Sequence, residues 1–443
     1  MVNTTVQVAD SSERRVVLMI ADGLRPDALA LMPGLSAALR LGTWFEAHEA
    51  VFPSVTLANA CSIVTGCLPA RHGIDGNVLL VEENGERRRL RPGRHGARER
   101  LAAIRGGSAL LRPTLSALTA PLGTPVVMSD SVPAGVTGAS VGPIQLLDTN
   151  RHGFTFHPLG CFGPGGGALQ NHRFLAGVDP ARTSDLADAF ARRVVVDPEV
   201  PFALLWLSEP DFASHRFPLG SPPWRAALAG ADAVIATVAE AVAPAVERGD
   251  VLLLICSDHG METVRDRHSL DAALRNAGFA PEIDAGAACL LPNGSSASIA
   301  VDALDERRRA AMTDALHCLP WVAKVLEPAE MIALGAAAPD SARIGLLCRK
   351  HPGDSGFGFP GVTDTVEDFP APGSDYTNFG NHGGLGLYER RATLLAAGEG
   401  FMPAGRSATP TSVVDIAPTA LAHLGLPGGS FDGKPLQGLA DLA

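Results

Sequence analysis

The chain has 443 residues, of which 46% are hydrophobic and 19% charged, and it carries a net charge of −11. This balance excludes a disordered chain, and the acidic surplus argues against a nucleic-acid scaffold, which would carry a basic face. The length provides for a large core and more than one ordinary domain. The opening segment MVNTTVQVADSSERR is polar, without the apolar core of a signal peptide. The apolar stretches read as too short to span a bilayer, so a soluble cytoplasmic protein with no membrane partner is the expectation. Seven cysteines without a C-x-x-C pair predict no disulfide framework. Cys61, Cys67 and Cys256 read as small buried residues.

In chain order, short apolar runs at Val16–Ala21, Pro125–Met128, Phe202–Leu207, Val251–Cys256 and Thr393–Ala397 predict buried parallel strands. Helical patterns at Pro33–Leu41, Ser184–Arg193, Trp224–Val246 and Val413–Leu424 lie among them. Strands alternating with helices predict an α/β three-layer sandwich around a mostly parallel sheet. Residues 12–269 and 378–430 read as its core, and residues 270–377 as a smaller α+β insertion covering one side of a cleft. Thr56 should open a helix, because Pro53 and Ser54 precede an apolar run that stops at Gly66. The segment from Arg87 to Arg100 is rich in arginine, interleaved with acids, and reads as a solvated hairpin. Phe162–Leu169 is glycine-rich but lacks the Lys-Ser/Thr ending of a phosphate loop, so a plain loop is expected.

Candidate metal ligands recur along this frame. Asp22 ends the run VVLMIAD, Asp211 and His215 form a D-x-x-x-H after FALLWLSEP, and Asp258-His259 follows VLLLICS. In open α/β sheets, ligands bind beyond the carboxyl ends of the strands, which is where these residues fall. Thr56 in FPSVTLANACSIVTG and His382 in GNHGG complete a set of seven. Carboxylates and imidazoles suit borderline divalent cations. Two such ions about 4 Å apart can hold both the attacking and the leaving oxygen of a displacement at phosphorus. His351 is another late histidine beside His382, His268 is a weaker candidate to line the cleft, and His72 reads as a structural hydrogen bonder.

These motifs, with SIVTG-x-x-P-x-x-HGI after Thr56, resemble the alkaline phosphatase superfamily over roughly residues 15–425. Its type I phosphodiesterase/nucleotide pyrophosphatase branch is the most similar, with the phosphonoacetate hydrolases as neighbours. The resemblance implies one ion held by Asp22, Thr56, Asp258 and His259, and a second by Asp211, His215 and His382. It implies Thr56 as the nucleophile and Asn59 facing the phosphoryl oxygens. Two divalent ions follow, zinc first, with manganese or iron as alternatives. The implied activity is hydrolysis of a small phosphodiester or phosphomonoester through a phosphothreonine. A phosphonate C–P hydrolase, a phosphate-transferring mutase and a non-catalytic binding protein are the other readings of the scaffold. Leu57 stands where nucleotide-cleaving relatives carry an aromatic, and the first lysine, Lys324, lies far from the carboxylate-gripping lysines of phosphonoacetate hydrolases.

Overall fold

The computed structural model describes residues 14–93, 96–129, 154–157, 160–162, 187–192, 194–195, 197, 199–367 and 377–439. Its centre is a nine-stranded sheet. Arg15–Ala21 lies in the middle, paired in parallel with Val251–Cys256 on one side and Phe202–Leu207 on the other. Val126–Ser129 continues the parallel run beside Phe202–Leu207. Leu394–Ala397 pairs antiparallel with Val251–Cys256, so the sheet is mostly but not wholly parallel.

The central strands are apolar at every position because both faces are covered. Val17, Met19 and Ala21 pack into one apolar layer with helix Pro222–Glu247. Val16, Leu18 and Ile20 pack into the opposite layer with helices Thr56–Thr65 and Ile416–His423. The same alternation holds in Phe202–Leu207 and Val251–Cys256. This is the three-layer α/β sandwich expected from the alternating pattern.

One expectation is corrected by helix Pro222–Glu247. Among the described residues it is long and apolar enough, by length and composition, to cross a membrane. Of its most apolar stretch, 56% is buried inside the fold. Trp224, Leu228, Ile235, Val238 and Val242 supply the apolar layer over the sheet.

Two four-stranded sheets stand apart from the main one. Cys289–Pro292, Ser296–Ala300, Arg343–Cys348 and Val322–Leu326 form an antiparallel set with its own apolar cluster around Ile299, Met312, Leu316 and Leu346. The other contains Lys350–Asp354, Pro360–Glu367, Glu262–Ser269 and Gly380–Asn381. Strand Glu262–Ser269, assigned to the core by a boundary at 270, therefore pairs with the smaller unit. The register explains the difference: Thr263 pairs with both Val362 and Gly380, so this strand joins the small sheet to the loop bearing His382. The glycine-rich stretch after Phe162 lies outside the described residues.

Candidate active site

Three adjacent parallel strands deliver three ligand-bearing turns to one edge of the sheet. Asp22 directly follows the central strand, Asp211 lies four residues beyond Phe202–Leu207, and Asp258 two beyond Val251–Cys256. The turns are tied together by backbone: Asp211 N–H donates to the Asp22 carbonyl at 3.0 Å, and Asp22 N–H to Leu207 at 2.9 Å. Gly23 N–H donates to Asp258 Oδ1 at 3.1 Å. Gly23 has a φ of +67°, and a Cβ there would stand 3.0 Å from the Asp211 Cβ, so only glycine fits between the two acids.

Two groups of ligand atoms result. Asp22, Asp258 and His259 form one, and Asp211, His215 and His382 the other. His259 Nε2 stands 3.4 Å from Asp22 Oδ1 and 3.2 Å from Asp258 Oδ2. His215 Nε2 and His382 Nε2 stand 3.4 and 3.5 Å from Asp211 Oδ1. Donor atoms each about 2.0–2.1 Å from a tetrahedral cation stand about 3.4 Å apart, so the spacings fit a cation in each group. The groups are neighbours, since the His259 and His382 rings stack at 3.7 Å between centroids. Asp211 Oδ1 and Asp258 Oδ2 are buried and accept no hydrogen bond of ordinary geometry. Buried carboxylate oxygens left this way are costly unless a cation completes them.

The three histidines share one device. Nδ1 donates to a backbone carbonyl in each: His259 to Gly260 at 2.8 Å, His215 to Gly380 at 2.9 Å and His382 to Ser54 at 2.8 Å. A carbonyl can only accept, so the proton sits on Nδ1 and the Nε2 lone pair faces the centre. Burial lowers His259, and burial with His259 alongside pushes His382 down to about 3. Burial also opposes charge on His215, but Asp211 outweighs it and holds that imidazole above the usual value. Burial, reinforced by the charge of Asp211, pushes the Asp258 carboxyl up to about 8. Acids and bases crowded this way strain against one another until a fixed positive charge is placed among them.

Thr56 is the first residue of helix Thr56–Thr65, which ends at Gly66 with φ +64°. It stands one residue past the N-cap position, which Val55 holds, and Thr56 Oγ1 lies 3.0 Å from His259 Nε2. The structure thus brings Thr56 to the first group beside His259. Asn59 does not follow. It is wholly buried, its amide donates to the carbonyls of Pro53 and Val55 at 3.0 Å each, and its Oδ1 accepts from Val51 N–H at 2.8 Å. The expectation that Asn59 faces phosphoryl oxygens is corrected on this geometry: its polar atoms brace the turn before the helix.

His72 is buried against Ser62 Oγ at 3.0 Å, a structural contact. His351 and His268 belong to neither group and flank Asp364 at 2.9 and 3.6 Å. Cys61, Cys67 and Cys256 are buried thiols. Several contributors carry no motif. Ser54 Oγ donates to Gly384 at 2.9 Å and accepts from Gly383 N–H at 3.1 Å, clamping the His382 loop to the turn before Thr56. Across the loop, Ser296 Oγ donates to the Gly383 carbonyl and Ser295 N–H to that of His382. Lys350 reaches the same region, with its ammonium 2.7 Å from Glu262 and in contact with Glu389. The run S-V-T before an apolar helix is the only local signal that could have pointed to Ser54.

A mostly parallel α/β sheet whose central strands deliver two Asp/His groups and a helix-opening threonine defines the alkaline phosphatase superfamily class. Within it, the chain belongs to the type I phosphodiesterase / nucleotide pyrophosphatase family, whose profile matches residues 16–328. A phosphoric ester hydrolase is therefore the class of enzyme. Among solved structures, murine ectonucleotide pyrophosphatase/phosphodiesterase 5 is similar at 17% identity and TM-score 0.65, over 96% of this chain and all of that one. An inactive threonine-to-alanine variant of the murine protein, solved with AMP, matches at 16% identity and TM-score 0.65, covering 96% and 99% of the two chains. The human protein matches at 16% identity with the same TM-score and coverage. A sequence search among curated proteins finds no match.

Proposed function

We propose that this chain hydrolyses small phosphate esters through a covalent phosphothreonine on Thr56, with two divalent cations, zinc first, held by the two Asp/His groups. The observation that carries the reading is the Thr56 hydroxyl at the helix start, 3.0 Å from His259 Nε2 of the first Asp/His group. The cations, when bound, supply the positive charge that offsets phosphoryl oxygens and makes a threonine hydroxyl nucleophilic near neutrality.

The residues divide the remaining work. Thr56 Oγ attacks phosphorus, the P–O bond to the leaving alcohol breaks and the alcohol departs with the proton that Thr56 gives up, and the phosphoryl group rests on Thr56 until water cleaves the Oγ–P bond and returns a proton to the hydroxyl. The start of helix Thr56–Thr65 offers unpaired backbone N–H groups to the phosphoryl oxygens. Asp22, Asp258 and His259 hold the first charge, and Asp211, His215 and His382 the second. Carbonyls of Gly260, Gly380 and Ser54 keep each imidazole in one tautomer. The murine relative solved with AMP is inactive as a threonine-to-alanine variant, which supports both the nucleophile and a phosphoester substrate.

Rapid quenching during turnover of phosphorus-labelled bis(4-nitrophenyl) phosphate is the test. Label should be trapped on Thr56. Full turnover with no label on the protein, even at the shortest times, overturns the covalent route.

A further inference from the structure

The arginine-rich hairpin has no part in the metal groups, yet it borders a cavity. Strands Leu79–Glu83 and Glu86–Leu90 pair antiparallel, and Arg87, Arg88 and Arg89 on the second strand face, with Arg100, a concavity of about 800 Å³. Arg275 closes it from the smaller unit. Neither Thr56 nor any of the six residues of the two Asp/His groups lines it. Five guanidiniums thus meet a single carboxylate on the wall, that of Asp271, in a protein whose net charge is −11.

Four of the five arginines are held in place by ion pairs. Arg87 pairs with Asp302 at 3.0 Å, Arg88 with Glu86 at 2.6 Å, and Arg100 with Glu83. Arg275 pairs with Asp271 at 2.7 Å and Asp284 at 2.8 Å. Of these acids only Asp271 is on the wall. Each guanidinium has five N–H donors and each pairing occupies one or two, so the forks stay able to receive an oxyanion. A concave wall on which guanidiniums outnumber carboxylates, set between low-dielectric elements, raises the local concentration of anions. Much of the remaining lining is apolar, with Leu270, Ile283, Ala288, Leu290 and Pro292 beside Ser269, Gly286 and Cys289. The volume lies in the range of small-molecule sites, about 300–1,000 Å³.

We propose that this cavity is a second ligand site, for a small amphipathic oxyanion whose carboxylate, phosphate or sulfonate head meets the arginines and whose apolar body meets Leu270, Ile283 and Leu290. The site adjoins the catalytic region through Pro292, because the next residue, Asn293, carries the carbonyl against which Gly383 is packed.

The probe is 8-anilinonaphthalene-1-sulfonate, an aryl sulfonate that fluoresces in apolar surroundings, titrated into the metal-loaded full chain. One saturable equivalent is expected, with affinity falling as salt rises. Arg87→Ala/Arg89→Ala should weaken binding at least tenfold. Arg275→Ala, on the opposite wall and outside the hairpin, should weaken it severalfold, so the site is tested even if the double variant folds poorly. Hydrolysis of a small chromogenic diester by Arg275→Ala without the probe should equal wild type. Equal probe affinity in wild type and Arg275→Ala, both folded by near-ultraviolet circular dichroism, overturns the proposal. The assay does not depend on the phosphothreonine route: an enzyme that failed to hydrolyse the diester would still bind the probe.

Discussion

Replacing Lys350 by Met should loosen the protein at the junction between the small sheet and the His382 loop. The Lys350 ammonium lies between Glu389 and Glu262, which are 0% and 3% exposed, and also donates to Thr363 Oγ1 at 3.0 Å. Burial alone would depress this lysine, but the two carboxylates outweigh it and hold it above the ordinary value. Burial would likewise raise Glu389, but Lys350 outweighs it and holds the carboxyl below the ordinary value. Burial and the charge of Glu389 keep Glu262 raised. Methionine keeps the stem and removes the charge, leaving two carboxylates buried side by side. Breaking a fully buried pair costs about 3–5 kcal/mol. The Lys350 side chain is 33% exposed, which admits water, so about 2–4 kcal/mol is the expected loss. In wild type, Glu389 is lowered, so its contribution is present above the unfolded carboxylate value and is lost as pH falls below it. In the variant both carboxylates take up protons more readily than unfolded, so stability falls as pH rises. The gap between the two proteins should therefore widen from about pH 5 to pH 8. Urea unfolding at those two pH values measures it, and Lys350→Met/Glu262→Gln should recover about half of the loss. A Lys350→Met protein within 0.5 kcal/mol of wild type at pH 8 would refute the reasoning, on a scale where about 1 kcal/mol is already substantial.

Thr56→Ala should fold normally and lose several orders of magnitude in kcat, whereas Thr56→Ser should keep a measurable part; steady-state rates on bis(4-nitrophenyl) phosphate decide it. Near wild-type turnover by the alanine variant would mean that water attacks directly. The purified protein should contain close to two divalent ions per chain and lose activity on chelation, read by elemental analysis, and an active metal-free preparation would refute the pairing of the groups. His382→Ala should lose one of those ions and most of the rate, while His351→Ala keeps both; the reverse result would move the ligand assignment. Asn59→Ala should cost about 1–3 kcal/mol of stability, because it strands the buried Val51 N–H, while the carbonyls of Pro53 and Val55 lose the amide but keep the N–H groups of Val55 and Asn59. It should leave the chemistry of the folded fraction little changed, and a stable but inactive variant would return Asn59 to the phosphate.

What was legible in the sequence is what the sheet imposes. Phe202–Leu207 and Val251–Cys256 are observed at the bounds their apolar runs predicted, because strands covered on both faces must be apolar throughout. The turns after them were legible for the same reason: polar residues at the end of such a run face either a cleft or solvent. Strand direction was not legible. Leu394–Ala397 reads like its neighbours yet runs antiparallel, since burial on both faces does not distinguish direction. The role of Asn59 was misread because helix spacing places a side chain on a face but not the acceptors around it. Carbonyls of Pro53 and Val55, in the turn just before the helix, claim its amide. The pairing of Glu262–Ser269, just before the boundary expected at 270, with Pro360–Glu367 about a hundred residues away was not legible either, because no local pattern encodes that partner.

The orientation of the histidines shows why the outer layer of the site escapes sequence reading altogether. His215, His259 and His382 are each set by a carbonyl, from Gly380, Gly260 and Ser54. A carbonyl belongs to the backbone, so side-chain identity at those positions carries no record of the acceptor it provides. What the sequence does record is the space such contacts require. A Cβ on Gly383 would fall 1.6 Å from the Asn293 carbonyl, a collision that no side-chain rotation relieves. The glycines after His382 thus serve the ligand before them: they let the loop press against the smaller unit on one side and Ser54 on the other. Fixing an imidazole from two sides in this way restrains rotation about χ1 and χ2 before any cation arrives, so less entropy remains to be lost on binding. The same contacts make the smaller unit part of the site's architecture, because the turn Asn293–Ser296 holds the one ligand, His382, that follows it in the chain.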